Sequence, residues 1–204
     1  MPLQTLFPTH VYTAPLGGRV AALNRRLLRE CAQLRLEDRA GRAWSAEHYT
    51  GGYTSYNSRS RMHQVSPTFA NLARHLDRHV REFARALDFD LRGRALAMTD
   101  CWVNVMRRQG THSPHLHPLS TVSGTYYVST PSGCAGIKFE DPRLERFMAA
   151  PPRKAQARAA NRAWQTLPAR AGRLVLFESW LRHEVPSTRS SGERISISFN
   201  YGWF

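Results

Sequence analysis

The stretch from Arg194 to Tyr201 constrains the fold more than any other part of this chain. Arg194, Ser196, Ser198 and Asn200 alternate with Ile195, Ile197 and Phe199. In extended backbone successive side chains point to opposite sides, so this strand has one polar and one apolar face. A solvated outer face over a packed core is the ordinary reading of such alternation. Two further stretches repeat it. Ser123, Thr125, Tyr127 and Ser129 share one face, and Trp102 and Asn104 share another. Recurrence over three strands fits a barrel whose interior is a polar ligand cavity.

From Ala97 onward the chain reads as short strands separated by turn residues: Cys101 to Met106, Ser123 to Ser129, Ile137 to Glu140, Leu174 to Phe177, and Arg194 to Tyr201. A double-sheet jelly roll fits that count. Before it, Leu6 to Thr13 reads as a first strand interrupted by Pro8. Arg19 to Leu36 carries Val20, Leu23, Leu27, Leu28 and Cys31 at helical spacing. Residues 39–65 are polar and read as loop. Ser66 and Pro67 then open a helix, as N-cap and first helical residue. Its buried stripe is Phe69, Leu72, Ala73, Leu76, Val80, Phe83 and Leu87. The expectation is an α+β, mainly β chain forming a single domain over 1–204. Residues 1–96 form a helical flank, and 97–204 form the β core with an insertion at 141–172. That insertion is rich in Pro, Ala and Arg and is expected to hold a short helix at 155–164 and to cover the mouth of a pocket.

Composition narrows the class. No run of 18 apolar residues exists, so no membrane-spanning helix is expected. The first residues lack the basic start and apolar core of a secretion signal. Cys31, Cys101 and Cys134 are odd in number and widely spaced, which suits reduced thiols in a cytoplasmic protein. The net charge is +14, but Lys138 and Lys154 are the only lysines and the arginines are scattered. A nucleic-acid binder usually clusters both basic types, so nucleic acid stands as a secondary partner class.

Nine histidines are present. His10, His48 and His63 have no spacing partners. His75 and His79 lie four apart on a helix, but Leu76 stands where a hydrolytic zinc motif needs Glu. His112, His115 and His117 differ, because they crowd together just before an alternating strand. His115 and His117 have strand spacing and would face one side. His112, offset by three, would point to the other side, as a substrate contact or a support for the ligands. His183 comes after the strand 174–177. Three imidazoles would cap one face of a metal ion and leave the opposite positions open for a chelating co-substrate and O2.

The run His115-Leu-His117-Pro118-x-Ser120-x-x-Ser123-Gly124-x-Tyr126-Tyr127 resembles a bacterial family of iron(II)- and 2-oxoglutarate-dependent oxygenases, within a prolyl-hydroxylase-like superfamily. So do Gly172-Arg-Leu-Val-Leu-Phe177-x-Ser-Trp180-Leu-x-His183-Glu-Val185-Pro and Arg194-Ile-Ser-Ile-Ser-Phe-Asn200. The likeness spans roughly residues 98–203. It implies a double-stranded β-helix, Fe(II), 2-oxoglutarate and O2. It implies further that His115 and His183 are metal ligands and that Arg194 pairs with the far carboxylate of 2-oxoglutarate, a role that suits a planar guanidinium. Ser196, Tyr127 and Asn104 would assist in co-substrate binding, and Trp102, Trp180 and His112 would meet the substrate. The chain departs from the superfamily at His117, which stands where Asp or Glu is usual; its strand spacing favours it as third ligand. The implied substrate is a small molecule or peptide, acidic if the arginines of the insertion meet it. Two other readings stay open: a cupin-type three-histidine dioxygenase that does not use 2-oxoglutarate, and a non-catalytic nucleic-acid-binding protein on the same scaffold.

Overall fold

The computed structural model describes residues 2–18 and 20–204. Its elements, in chain order, are β1 (Val11–Pro15), α1 (Val20–Glu37), α2 (Arg39–His48), β2 (Gly52–Thr54), α3 (Met62–Val65), α4 (Pro67–Ala86), β3 (Leu96–Met106), β4 (His112–His115), β5 (Val122–Ser129), β6 (Ile137–Glu140), β7 (Trp164–Leu167), β8 (Arg173–Glu178), β9 (His183–Val185) and β10 (Arg194–Trp203). Among the described residues, ten strands form two antiparallel sheets. One has the order β1-β8-β5-β10-β3-β2, the other β4-β9-β6-β7. This is the double-stranded β-helix, with helices against the outer face of the larger sheet.

The helices pack as their apolar spacing dictates. Ser66 caps α4, its hydroxyl accepting from the N–H groups of Thr68 and Phe69. Phe69, Leu72, Leu76, Val80 and Phe83 are buried, while Ala73 and Leu87 are only half-buried. With Leu23, Leu27 and Cys31 of α1 they meet Val103, Val105, Tyr126, Leu174, Leu176, Ile197 and Phe199 of the larger sheet. At Gly124 a Cβ would come within 2.6 Å of the Phe199 ring. Only glycine at this point of β5 therefore leaves room for that ring.

Arg19, the expected start of the first helix, lies outside the described residues. The first strand runs from Val11 to Pro15, later than the 6–13 segment. Pro15 is tolerated because β1 is an edge strand. Residues 39–65 are not a loop. They hold α2, β2 and α3, and β2 extends the larger sheet beside β3. The N-terminal flank thus supplies two strands as well as helices. Helix α2 lacks an apolar stripe because its buried residues are Gly41 and Ser45. Its start is held by Asp38, which accepts from the Gly41 N–H at 2.9 Å and the Tyr53 hydroxyl at 2.8 Å. The insertion also differs from expectation. Residues 155–164 form no α-helix. There is one 3-10 turn at Ala159–Asn161, and Trp164 begins β7, which pairs with β6. Good helix formers without an apolar face to bury do not nucleate so short a helix.

Candidate metal centre

The polar face of β10 is buried between the sheets. Arg194, Ser196 and Asn200 are all 4 % exposed or less. Ser196 lies beside Asn104 and Ser198 beside Trp102 on β3, while Tyr127 and Thr125 flank the same two serines on β5. The solvated-face reading therefore fails here. The water-facing side of the larger sheet is covered by helices, and the polar side chains line a cavity. Tyr49, Trp102, Asn104, Thr125, Phe177, Val185 and Ser198 form its walls, with His112, His115, His117, His183, Arg194 and Ser196.

His115, His117 and His183 are the described residues whose side chains could jointly hold a metal ion; their candidate ligand atoms all lie within 4.8 Å of one another. His115 and His183 face each other directly across the β4–β9 ladder. His117 is not on a strand, as its spacing had suggested. It sits two residues past β4, where its N–H donates to the Ser179 carbonyl at 3.0 Å. Ser179 is itself fixed by a 2.8 Å hydrogen bond with Ser123. The His117 and His183 Nε2 atoms approach to 3.4 Å. His115 Nδ1 donates to the Ser113 carbonyl at 2.7 Å, and His183 Nδ1 donates to the Leu181 carbonyl at 2.9 Å. With Nδ1 protonated, each Nε2 presents a free lone pair to the cavity, the orientation that metal-bound histidines need. Burial keeps all of these rings neutral. It lowers His183 to about 2 and His117 to about 4, and it lowers His115 as well.

His112 also points into the cavity. Regular alternation would send it to the opposite side, but the β4 ladder is irregular between His112 and His115, with Pro114 between them on an edge strand. The two ring centroids lie 4.0 Å apart, the rings tilted by 33°. Burial lowers His112 to about 3.

Arg194 is 3 % exposed, and among the described residues no carboxylate pairs with it. Its Nη1 reaches only Met106 Sδ at 3.4 Å and Ser196 Oγ at 3.3 Å, and its Nε has no partner. The Tyr127 ring lies 5.0 Å from the guanidinium, and the Tyr127 hydroxyl and Thr125 Oγ1 are also buried without partners. Such groups are costly to bury unless something else satisfies them. A small dianion with one end at the histidines and the other at Arg194 would do so, so the residues present fit both an ion and a dicarboxylate.

The other sequence-derived residues divide between the cavity wall and the rest of the molecule. Asn104 is engaged internally, accepting from Thr54 Oγ1 at 2.8 Å and donating to Ser198 Oγ at 3.0 Å. Trp102 stands beside His117, ring centroids 6.0 Å apart, with Tyr56 edge-on at 5.0 Å. Trp180 is 47 % exposed and does not line the cavity. Sequence reasoning missed Tyr49, which packs edge-on against His112 at 5.2 Å. It comes just after α2, a helix with no periodicity to reveal it. Phe177, edge-on to His183 at 4.5 Å, was read only as a core strand residue. His79 is structural: its Nδ1 meets the Tyr12 hydroxyl at 2.8 Å and its Nε2 the Leu16 carbonyl at 3.1 Å. The insertion contributes nothing to the cavity lining. With residues 5–9 it borders a separate cavity of about 390 Å³.

Comparison with known proteins agrees with this geometry. Three solved structures superpose on nearly the whole chain. The non-heme alpha ketoglutarate dependent epimerase SnoN from nogalamycin biosynthesis has TM-score 0.62 and 14 % identity over 95 % of this chain and 76 % of that one. HygX from Streptomyces hygroscopicus, solved with nickel, 2-oxoglutarate and hygromycin B, has TM-score 0.62 and 17 % identity over 95 % and 83 %. A Pseudomonas putida prolyl-4-hydroxylase has TM-score 0.62 and 16 % identity over 96 % and 94 %. No curated protein sequence matches the chain. Residues 100–200 match the family model described as "Putative 2OG-Fe(II) oxygenase", a span that begins on β3 and takes in the four clustered histidines and Arg194. Through that segment the chain belongs to the 2-oxoglutarate- and Fe(II)-dependent oxygenases.

Proposed function

We propose that His115, His117 and His183 hold one Fe(II) and that Arg194 binds the distal carboxylate of 2-oxoglutarate. The protein then oxygenates a small-molecule or peptide substrate. The observation that carries this reading is the buried guanidinium of Arg194, without a carboxylate partner among the described residues, in the cavity that also holds the histidines but on the opposite sheet. A three-histidine dioxygenase that uses no 2-oxoglutarate would leave that charge without a task.

When bound, the ion and co-substrate supply O2 activation coupled to decarboxylation of 2-oxoglutarate to succinate and CO2. The chain's own residues do the rest. Ser113 and Leu181 carbonyls hold His115 and His183 in the tautomer that leaves Nε2 free. Arg194 offers a planar pair of donors to a carboxylate, with the Tyr127 hydroxyl beside it. Asn104, bonded to Thr54 and Ser198, stiffens the wall between them. Phe177, Ile137 and Val185 exclude water from the inner side of the histidines. Trp102, on the cavity wall beside His117 and backed edge-on by Tyr56, is the surface a substrate would meet.

The test is anaerobic titration of the full chain with Fe(II), with and without 2-oxoglutarate. A charge-transfer absorption band that needs both, together with succinate formation on admitting O2, is expected. One Fe(II) bound with no response to 2-oxoglutarate would favour the cupin-type alternative and discard the role of Arg194.

A further inference from the structure

We propose that the metal ion and the dicarboxylate bind this chain as a charge-coupled pair, with the neutral side chain at position 117 setting the strength of the coupling. The coupling rests on His115, His117 and His183 being the metal ligands, and it arises from the charges around them. Among the described residues no Asp or Glu lines the cavity. Asp100 lies outside that lining, its carboxylate accepting from Thr99 Oγ1 at 2.8 Å and Asn200 Nδ2 at 3.5 Å. The remaining ring in the cavity, His112, carries no negative charge in either protonation state. The fixed charge facing the ion is therefore that of Arg194, and it is positive.

A divalent ion bound alone would give this cavity a charge of about +3, the ion and the guanidinium together, with no counter-charge. A dicarboxylate supplies two negative charges, one end at the ion and the other at Arg194. Each ligand removes the electrostatic penalty on the other, and the effect is reciprocal. The co-substrate is in this sense part of the metal site, and the ligand-free chain should hold Fe(II) weakly. The cell's supply of the dicarboxylate would then govern loading with iron as well as turnover.

Chelation alone also couples the two ligands, so the test must separate charge from coordination. Asp and Asn differ at position 117 by one negative charge and almost nothing in size. Full-length wild type, His117→Asp and His117→Asn are titrated anaerobically with Fe(II) by calorimetry, with and without saturating 2-oxoglutarate. Thermal unfolding of the metal-free proteins checks that each is folded. His117→Glu against His117→Gln repeats the comparison if either shorter variant is not. In wild type and in the amide variant, 2-oxoglutarate should tighten Fe(II) binding by a factor at least about tenfold larger than in the carboxylate variant, within the 5–150-fold range usual for coupled sites. The carboxylate variant should also bind Fe(II) alone more tightly than the amide variant. Equal coupling in acid and amide variants would overturn the proposal while leaving the metal assignment intact. No Fe(II) binding by wild type, even with 2-oxoglutarate, would overturn both.

Discussion

The two faces of β10 are built by opposite rules. Outward, Ile197 and Phe199 are fully buried against α1 and α4 in a continuous apolar core. Inward, one residue away along the same backbone, Arg194 and Ser196 face a cavity where the Arg194 Nε and the Thr125 hydroxyl lack partners, as does the hydroxyl of the adjacent Tyr127. The first face contributes stability through area removed from water, in proportion to how well it is filled. The second lowers stability in the ligand-free state, because desolvated polar groups are left unsatisfied. A sheet that keeps such a face is spending its free energy on a ligand. Stability and binding are thereby segregated onto alternate residues, and substitutions on the two faces should separate cleanly.

The largest effect is expected inside the cavity. His183→Ala should abolish binding of the single Fe(II), measured by metal content after desalting, while the metal-free protein remains folded. Retention of one iron per chain would show that the histidine cluster is not the metal site. On the other face, Leu76→Ala should cost roughly 2–5 kcal/mol in denaturant unfolding, because Leu76 is fully buried between α4 and the sheet. Its folded fraction should bind Fe(II) and 2-oxoglutarate as wild type does. A selective loss of 2-oxoglutarate affinity there would blur the separation of faces.

Legibility in the sequence obeys the same division. Strands β3, β5, β6, β8 and β10 were readable because period-two alternation, or a short apolar run between turns, is a strong local signal. Helix α4 was readable because Ser66-Pro67 and a full apolar stripe agree. The late strand bearing Arg194 and the pairing of a His-x-His segment with His183 were readable from order and motif. That the polar side of β10 faces inward could not be read from the strand itself, since alternation is symmetric and the sides are assigned by packing. Helix α2 was hidden because it buries Gly41 and Ser45, and Tyr49 was hidden with it. His112 was misdirected because an irregular edge strand does not keep the period. The segment 155–164 shows the opposite failure, where composition favoured a helix but no apolar face existed to hold one.

A smaller effect is expected at Asp38, buried at the start of α2. Burial alone would raise its carboxyl, but hydrogen bonds from Ser58, the Gly41 N–H and Tyr53 outweigh it and hold the group below the usual carboxylate range. A depressed folded-state value gives stability that is present above the unfolded value of about 3.9 and is lost as pH falls through the folded one. Asp38→Asn should cost roughly 1–2 kcal/mol at neutral pH, and the gap to wild type should narrow below about pH 4. A gap that stayed constant down to acid pH would mean that the charge contributes nothing. The smallest effect is expected at Arg143, which pairs with Asp141 at 2.8 Å while its own side chain is 60 % exposed. Arg143→Ala should change stability by no more than about 1 kcal/mol.

The central claim is that the inner face is kept for a dianion at the expense of stability, and Arg194→Met tests it most directly. Thermal unfolding of wild type and variant is monitored without ligands, then anaerobically with Fe(II) and 2-oxoglutarate at about 100 times their dissociation constants from wild type. Without ligands the variant should melt at the wild-type temperature or about 2–4 °C above it, since an unpaired buried charge gives way to an apolar chain of similar length. With ligands, wild type should gain at least about 2.7 kcal/mol from each saturating ligand, and 2-oxoglutarate should add much less to the variant, which has lost the carboxylate clamp. A variant that melts well below wild type without ligands, or that 2-oxoglutarate still stabilises as it does wild type, would contradict the account.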